Sequence, residues 1–481
     1  MSKNLLKKWH DIPLPVKASV SYTVCSILQK CLSFITLPLF TRLLTTEQYG
    51  QYSVYMSWSS IFTIFITLYL AYGSFSTAMV QFEEDRRGYM AAIQNLSLVL
   101  GMVFLVIYLP FRNFFNQLLE LPTKLVILMV IEIVAQFTLS CWYRIKQFEY
   151  KYKGVVVMTL AMAIFMPVCA YLLVINSEER GYARIFGYAI ATITVGIVLY
   201  ISTLIKGKGG MNRKYWRYAL GFNVPLIPYY LSQVVFNQSD RIMISHYDGT
   251  DKAGIYNVAY TLALTLNFVL NAINDSYVPW FYGKIKEGKE EENRNISNGI
   301  ALLMAFLLLG VIALAPEIIW VLAGQEYADA KWVVPPVAMS VLLLFYSQLF
   351  INVEFYYEEK SLLVWGSIGS AVLNIVLNAL LIPKFGFLAA GYTTLISYVA
   401  FAVANYFTMQ VILKRQGFTM KAFDLKGLIL LFAAFAALAF TAMALYEHHL
   451  IRFIIIGIVL LALLIMHKKV IAFVKHVLTR K

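Results

Sequence analysis

Apolar runs of about 20 residues, each closed by a short polar segment, follow one another along the whole 481-residue chain. At about 1.5 Å of rise per residue, such a run as a helix matches the hydrocarbon thickness of a bilayer. The pattern predicts spans at about 15–41, 48–72, 89–110, 122–143, 155–176, 183–205, 218–245, 254–281, 297–322, 332–357, 361–383, 387–412, 425–446 and 451–467. No segment between them much exceeds about 15 residues, so neither face has room for a soluble domain. The expected fold is an all-α polytopic membrane protein with about 14 transmembrane helices.

Inside the runs, polar residues recur at helical spacing and gather on one face. Span 1 carries Tyr22, Ser26, Gln29, Lys30 and Ser33, and span 2 carries Tyr52, Tyr55, Ser59, Thr63 and Thr67. Span 7 carries Tyr230, Gln233, Asn237, Asp240 and Arg241, and span 8 carries Asn267, Asn271, Asn274 and Asp275. Taken singly, these Asn, Ser and Thr side chains read as interhelical hydrogen bonds, worth about 0.6–2 kcal/mol each. Four stripes at equivalent places are better explained by a shared, water-accessible cavity.

The equivalence comes from a repeat. Thr46-Glu47-x-x-Gly50-x-Tyr52-x-Val54 returns as Thr250-Asp251-x-x-Gly254-x-Tyr256-x-Val258, 204 positions later, and Gly187-Tyr188 returns as Gly391-Tyr392 at the same displacement. Six spans separate the copies, so the repeats are parallel, related by an axis along the membrane normal. This predicts a six-helix lobe over 1–205, a basic linker at 206–217, a second six-helix lobe over 218–412, and two extra helices with a basic tail over 413–481. The two lobes would surround a central cavity.

Composition agrees with the pattern: 60% of residues are hydrophobic and 14% charged, and mean hydropathy is +0.68. The net charge of +14 would suggest nucleic acid in a soluble chain. Here Lys and Arg collect in alternate loops, such as Arg86–Arg87, Lys151–Lys153 and Lys206–Arg217, so the charge is a topology signal. It places both termini in the cytoplasm and leaves no role for nucleic acid. The basic N-terminus lacks a small-residue cleavage site, so the first span reads as an uncleaved anchor. Cys25, Cys31, Cys141 and Cys169 show no paired spacing, and His448-His449 lacks a third ligand, so no metal is expected.

Ionisable residues within spans usually face a cavity or a partner, because charge at the bilayer centre is expensive. Lys30 has no opposite charge one helical turn away, and Glu132 is the only mid-span carboxylate of the first lobe. Asp240 and Arg241 are adjacent and point about 100° apart, so they do not simply neutralise each other. Arg42, Arg144 and Arg241 also admit an interfacial or topological role. Glu354 is nearly repeat-related to Glu149, which falls in a cytoplasmic loop, and this weakens its case. Pro38 in span 1 and Pro225 and Pro228 in span 7 interrupt the first helix of each lobe and suit hinges.

Leu37-Pro38-Leu39-Phe40-Thr41-Arg42-Leu43-Leu44-Thr45-Thr46-Glu47-x-Tyr49-Gly50-x-Tyr52 resembles the first-loop signature of the polysaccharide-biosynthesis flippases. These are the O-antigen and capsule repeat-unit exporters of the multidrug/oligosaccharidyl-lipid/polysaccharide exporter superfamily. Leu381-Ile382-Pro383-Lys384-Phe385-Gly386-x-x-Ala389-Ala390 resembles the family's turn between spans 11 and 12, and Asp240-Arg241 stands where members often carry an acidic–basic pair. The resemblance covers essentially the whole chain.

It implies two six-helix lobes plus two helices. It also implies transfer of an undecaprenyl-diphosphate-linked oligosaccharide to the outer leaflet of a bacterial cytoplasmic membrane. Cationic cavity residues of the family point here to Lys30 and Arg241, then Arg42 and Arg144. Gln233, Asn237 and Asn271 are the expected sugar contacts. Glu132, Asp240 and Asp275 are candidates for coupling to H+ or Na+; no cofactor is expected beyond such an ion. A polysaccharide polymerase and chain-length proteins are the implied partners, with the bilayer itself. Two rivals remain open: a drug/cation antiporter of the same superfamily, and a membrane-embedded polymerase or transferase, whose clustered nucleophile and base the short outer loops lack.

Overall fold

The computed structural model describes residues 13–207, 210–358, 361–416 and 422–465, and among them every regular element is helical. Twelve helices among the described residues are long and apolar enough to cross a membrane. The expected count of fourteen is therefore not reached by length and hydropathy. The second predicted span forms a helix, Thr46–Thr67, but its Ser, Thr, Gln and Tyr content keeps it off the twelve. The last is apolar but short over His449–Ile458.

The chain divides into two compact units, Met1–Gly254 and Ile255–Lys481. The first opens with α1 (Leu14–Leu43) and α2 (Thr46–Thr67). It continues with α3 (Phe75–Gln81), α4 (Arg86–Tyr108), α5 (Arg112–Leu119), α6 (Thr123–Phe148), α7 (Tyr152–Ile175), α8 (Arg180–Lys206), α9 (Arg213–Asn223) and α10 (Ile227–Asp248). Helix α11 (Thr250–Ala263) crosses the division between the units.

Local sequence explains how α2 begins. Thr45 Oγ1 accepts the Gln48 amide at 3.2 Å while Gln48 Oε1 accepts the Thr45 amide at 3.2 Å. This reciprocal capping box satisfies two amides that helix geometry leaves without partners. α2 ends at Leu68 with φ 48, in the left-handed region, followed by Tyr69 with φ 51. In this unit α2 packs on α4, α6, α8 and α10, and α8 also packs on α6 and α7. The core under α2 gathers Tyr55, Ile66, Leu125, Val126, Met129, Val130, Ile133 and Ile185. A second cluster, around Phe75, Phe82, Tyr89 and Tyr215, ties α3, α4 and α9 together.

Pro225 lies within a break and Pro228 just after it: the 3₁₀ turn Val224–Leu226 separates α9 from α10. Neither proline can supply a backbone amide, so the helical ladder lapses there. Pro38 lies within the continuous α1.

The second unit comprises the rest of α11, then α12 (Asn267–Lys286), α13 (Asn293–Ala313), α14 (Ala315–Ala323), α15 (Val334–Tyr356), α16 (Ser361–Phe385), α17 (Leu388–Arg415), α18 (Leu425–Ala444) and α19 (His449–Ile465). α15 packs on α12, α13, α17 and α18. It is apolar around most of its circumference, as a central helix must be. Asn374 and Asn378 of α16 and Thr393 and Ser397 of α17 bury a polar seam where α16 meets α17.

Candidate functional site

Two ionisable side chains of the first unit, Glu132 and Arg184, meet successive turns of α2. Tyr55 donates from its hydroxyl to Glu132 Oε2 of α6 at 2.6 Å. Glu132 makes no ion pair among the described residues, so a phenol is the partner the structure gives this carboxylate. A hydrogen bond to an ionised acceptor is stronger than a neutral one.

One turn earlier on α2, Tyr52 covers a cation that stands at the very start of the predicted span 183–205. Arg184 of α8 is 5% exposed. Its guanidinium lies 3.8 Å from the Tyr52 ring centre, 4.5 Å from Phe40, 4.5 Å from Tyr49 and 5.9 Å from Tyr188. The delocalised charge and weak hydration of guanidinium suit it to such stacking. The three-residue interval from Tyr49 to Tyr52 was a legible signal that both rings share a face.

α10 carries the polar ladder expected of span 7. Arg241 Nη1 donates to the Asn237 carbonyl at 2.6 Å, and Asn237 Nδ2 donates to the Gln233 carbonyl at 2.7 Å. Asp240 and Arg241 are both buried, while Gln233 and Asn237 are half-buried. Ser57 of α2 donates to Gln238 Oε1 at 3.2 Å. Tyr69 stacks on Tyr230 with ring centres 4.8 Å apart.

The remaining predicted residues are more scattered. Lys30 is exposed on α1 and makes no ion pair among the described residues, and Arg42 is exposed at the end of α1. Arg144, half-buried on α6, stacks over Tyr72 at 4.5 Å. In the second unit Asn271 and Asp275 are exposed on α12, and Asn274 Oδ1 accepts from Asn352 at 3.1 Å. Glu149 pairs with Lys151 at 2.6 Å, whereas Glu354 is buried and neither of its carboxylate oxygens has a hydrogen-bond partner among the described residues. Among the described residues no cluster of three His, Cys, Asp or Glu could hold a metal.

A second missed feature lies at the end of the second unit. Arg452, 2% exposed on α19, pairs with Glu317 of α14. It too stands at the very start of a predicted span, 451–467.

The family model described as polysaccharide biosynthesis protein matches residues 16–283. A Haemophilus influenzae protein named Lsg locus putative protein 1 is 25% identical, over 75% of this chain and 89% of its own. A second protein of that organism, described as an uncharacterized membrane protein, is 22% identical over 75% of this chain and 88% of its own. Among solved structures, lipid II flippase MurJ in an inward closed conformation aligns with a TM-score of 0.63 at 14% identity, covering 90% of this chain and all of that one. An inward-facing multidrug resistance MATE family transporter of the MOP superfamily aligns with a TM-score of 0.62 at 10% identity, covering 83% of this chain and 98% of that one. These two likenesses establish the fold.

Proposed function

Because this chain belongs to the polysaccharide biosynthesis protein family, we propose that it is a flippase for a lipid-linked glycan. The match over residues 16–283 carries this reading, and the MurJ-like and MATE-like fold supports a transporter rather than an enzyme. The substrate is an undecaprenyl-diphosphate-linked oligosaccharide, taken from the inner to the outer leaflet of a bacterial cytoplasmic membrane by alternating access. Both termini face the cytoplasm.

Each expected residue has a physical role in this reading. Lys30 and Arg241, with Arg42 and Arg144, supply counter-charge to the diphosphate, which a low-dielectric site requires. Gln233, Asn237 and Asn271 offer amide groups to sugar hydroxyls. Pro38, Pro225 and Pro228 allow the helices to bend, and the helical break at Val224–Leu226 supports this for the latter two. With the cell interior negative, outward movement of an anion releases about 2.3 kcal/mol per charge per 100 mV. An ion gradient can add to this through Glu132, Asp240 or Asp275. Glu132, whose partner among the described residues is a phenol and not a cation, is the first choice for an H+ or Na+ site. A polysaccharide polymerase and chain-length proteins would receive the product.

The MATE-like fold keeps a drug/cation antiporter as the second reading. The test replaces Lys30 and Arg241 with Gln or Ala and measures delivery of lipid-linked glycan to the outer leaflet. Impaired delivery is the expected result. Undiminished delivery in both variants sinks the cationic site, and drug efflux without glycan delivery by the intact protein favours the antiporter.

A further inference from the structure

Arg184 is a buried cation that the proposed transport cycle does not use. Four rings surround it, from α1 (Phe40), α2 (Tyr49 and Tyr52) and its own helix (Tyr188). Among the described residues no carboxylate pairs with it and its Nε and Nη1 make no hydrogen bond, so the Tyr49 and Tyr188 side chains are its hydrogen-bonding partners. Burying a charge this way is costly, so a site that keeps one must gain something from it.

The repeat tells whether the fold itself requires this charge. At the displacement of 204, Tyr52 and Tyr188 return as Tyr256 and Tyr392, but Arg184 returns as Leu388, Tyr49 as Ala253 and Phe40 as Ile244. At these positions the second copy thus carries a small or aliphatic residue in place of the cation and of two of its four rings. The cation and its two extra rings are additions of the first copy.

The position of the cage indicates what they add. Tyr52 stacks on Arg184 of α8, and Tyr55, one turn on, bonds Glu132 of α6. One face of α2 thus holds both a guanidinium and a carboxyl group from other helices. Another face carries Gly50, whose backbone lies directly against Thr250 at the start of α11. α2 is clasped by charge on one side and runs bare against the other repeated turn.

We propose that the Arg184 cage is a latch that fastens the first turns of α2 to α8, making the segment with the repeated turn move as one body with α8. Opening the cage frees α2 to shift against α8. This rests on the transporter reading, in which the helix pair α1–α2 changes position during the cycle.

The test compares wild type, R184L and R184K in lipid nanodiscs by hydrogen exchange resolved to peptides, alongside glycan delivery in cells. Leu is the residue the second copy uses here, so R184L is expected to insert and purify normally. Exchange over residues 45–58 should become about tenfold faster, with α4 unchanged, because only the local opening equilibrium moves. Delivery should fall at least about fivefold, the least change expected from losing a desolvated cation–π cage. R184K keeps the charge but not the planar stacking and should lie between. Unchanged exchange over 45–58 in R184L overturns the latch, as does equal acceleration throughout the first unit. If the wild type delivers no glycan while the exchange results hold, the flippase reading fails and the latch stands.

Discussion

Gly50 and Gly254, the glycines of the two repeated turns, pack backbone to backbone. A Cβ built on Gly254 would lie 3.0 Å from the Gly50 amide nitrogen and 3.3 Å from its Cα, and would overlap the Thr46 carbonyl oxygen. The relationship is reciprocal, since a Cβ on Gly50 would overlap the Thr250 carbonyl. The signature glycines are thus a contact surface between the two copies of one element.

Substituting either glycine with Ala should therefore be costly, because the obstacle is rigid backbone and cannot rotate away. G50A and G254A are each expected to lose about 1–3 kcal/mol, the usual range for overpacking. A thermal unfolding scan in detergent measures this. G283A and G310A are the controls: nothing lies within 4 Å of their added methyl group. Both sit inside helices and should be neutral or stabilised by about 0.5–1 kcal/mol.

Tyr55→Phe leaves Glu132 without its phenol donor and should destabilise the first unit by about 1–3 kcal/mol. Glu132→Gln retains an acceptor for Tyr55 and should be milder in the same unfolding scan. The order reverses for transport if Glu132 binds the coupling ion. E132Q should then abolish the response of glycan delivery to an imposed H+ or Na+ gradient, while Y55F only weakens it. A gradient response that survives in E132Q removes Glu132 from the coupling role.

Thr45→Ala deletes half of the capping box and should cost about 1 kcal/mol, with Thr45→Ser close to neutral. Hydrogen exchange at the first amides of α2 reads this directly. If T45A leaves Gln48 protected, the cap is not what starts the helix.

Asp424 caps α18, where the Gly427 amide donates to its Oδ1 at 3.1 Å and Asn298 donates to Oδ2 at 3.2 Å. The Gly427 amide, foremost, holds this carboxyl below the usual aspartate range. A depressed folded value means that the contribution is complete above the unfolded value and is lost as pH falls through the folded one. The first turn of α18 should therefore loosen only in acid, below the ordinary carboxylate range. D424N can still cap through its amide oxygen, so its exchange at Gly427 should no longer change over that acid range.

Much of this protein was legible in the sequence because its largest constraint acts within single helices. Lipid offers no hydrogen bonds, so each span must satisfy its own backbone and show its length and hydropathy along the chain. The run from Val334 to Tyr356 could be read that way, as could the repeated Thr-acid-x-x-Gly-x-Tyr-x-Val turn and the proline break at Val224–Leu226. Tertiary structure alone decided the partners. Arg184 and Arg452 stand at the starts of predicted spans yet are buried, because sequence places a residue along its own helix and says nothing of what other helices bring to it. Phe40 and Tyr52 meet Arg184 from more than 130 positions away, and Tyr55 reaches Glu132 across 77. Whether a charge near a span end snorkels or is caged depends on such long-range contacts, which helical periodicity does not encode.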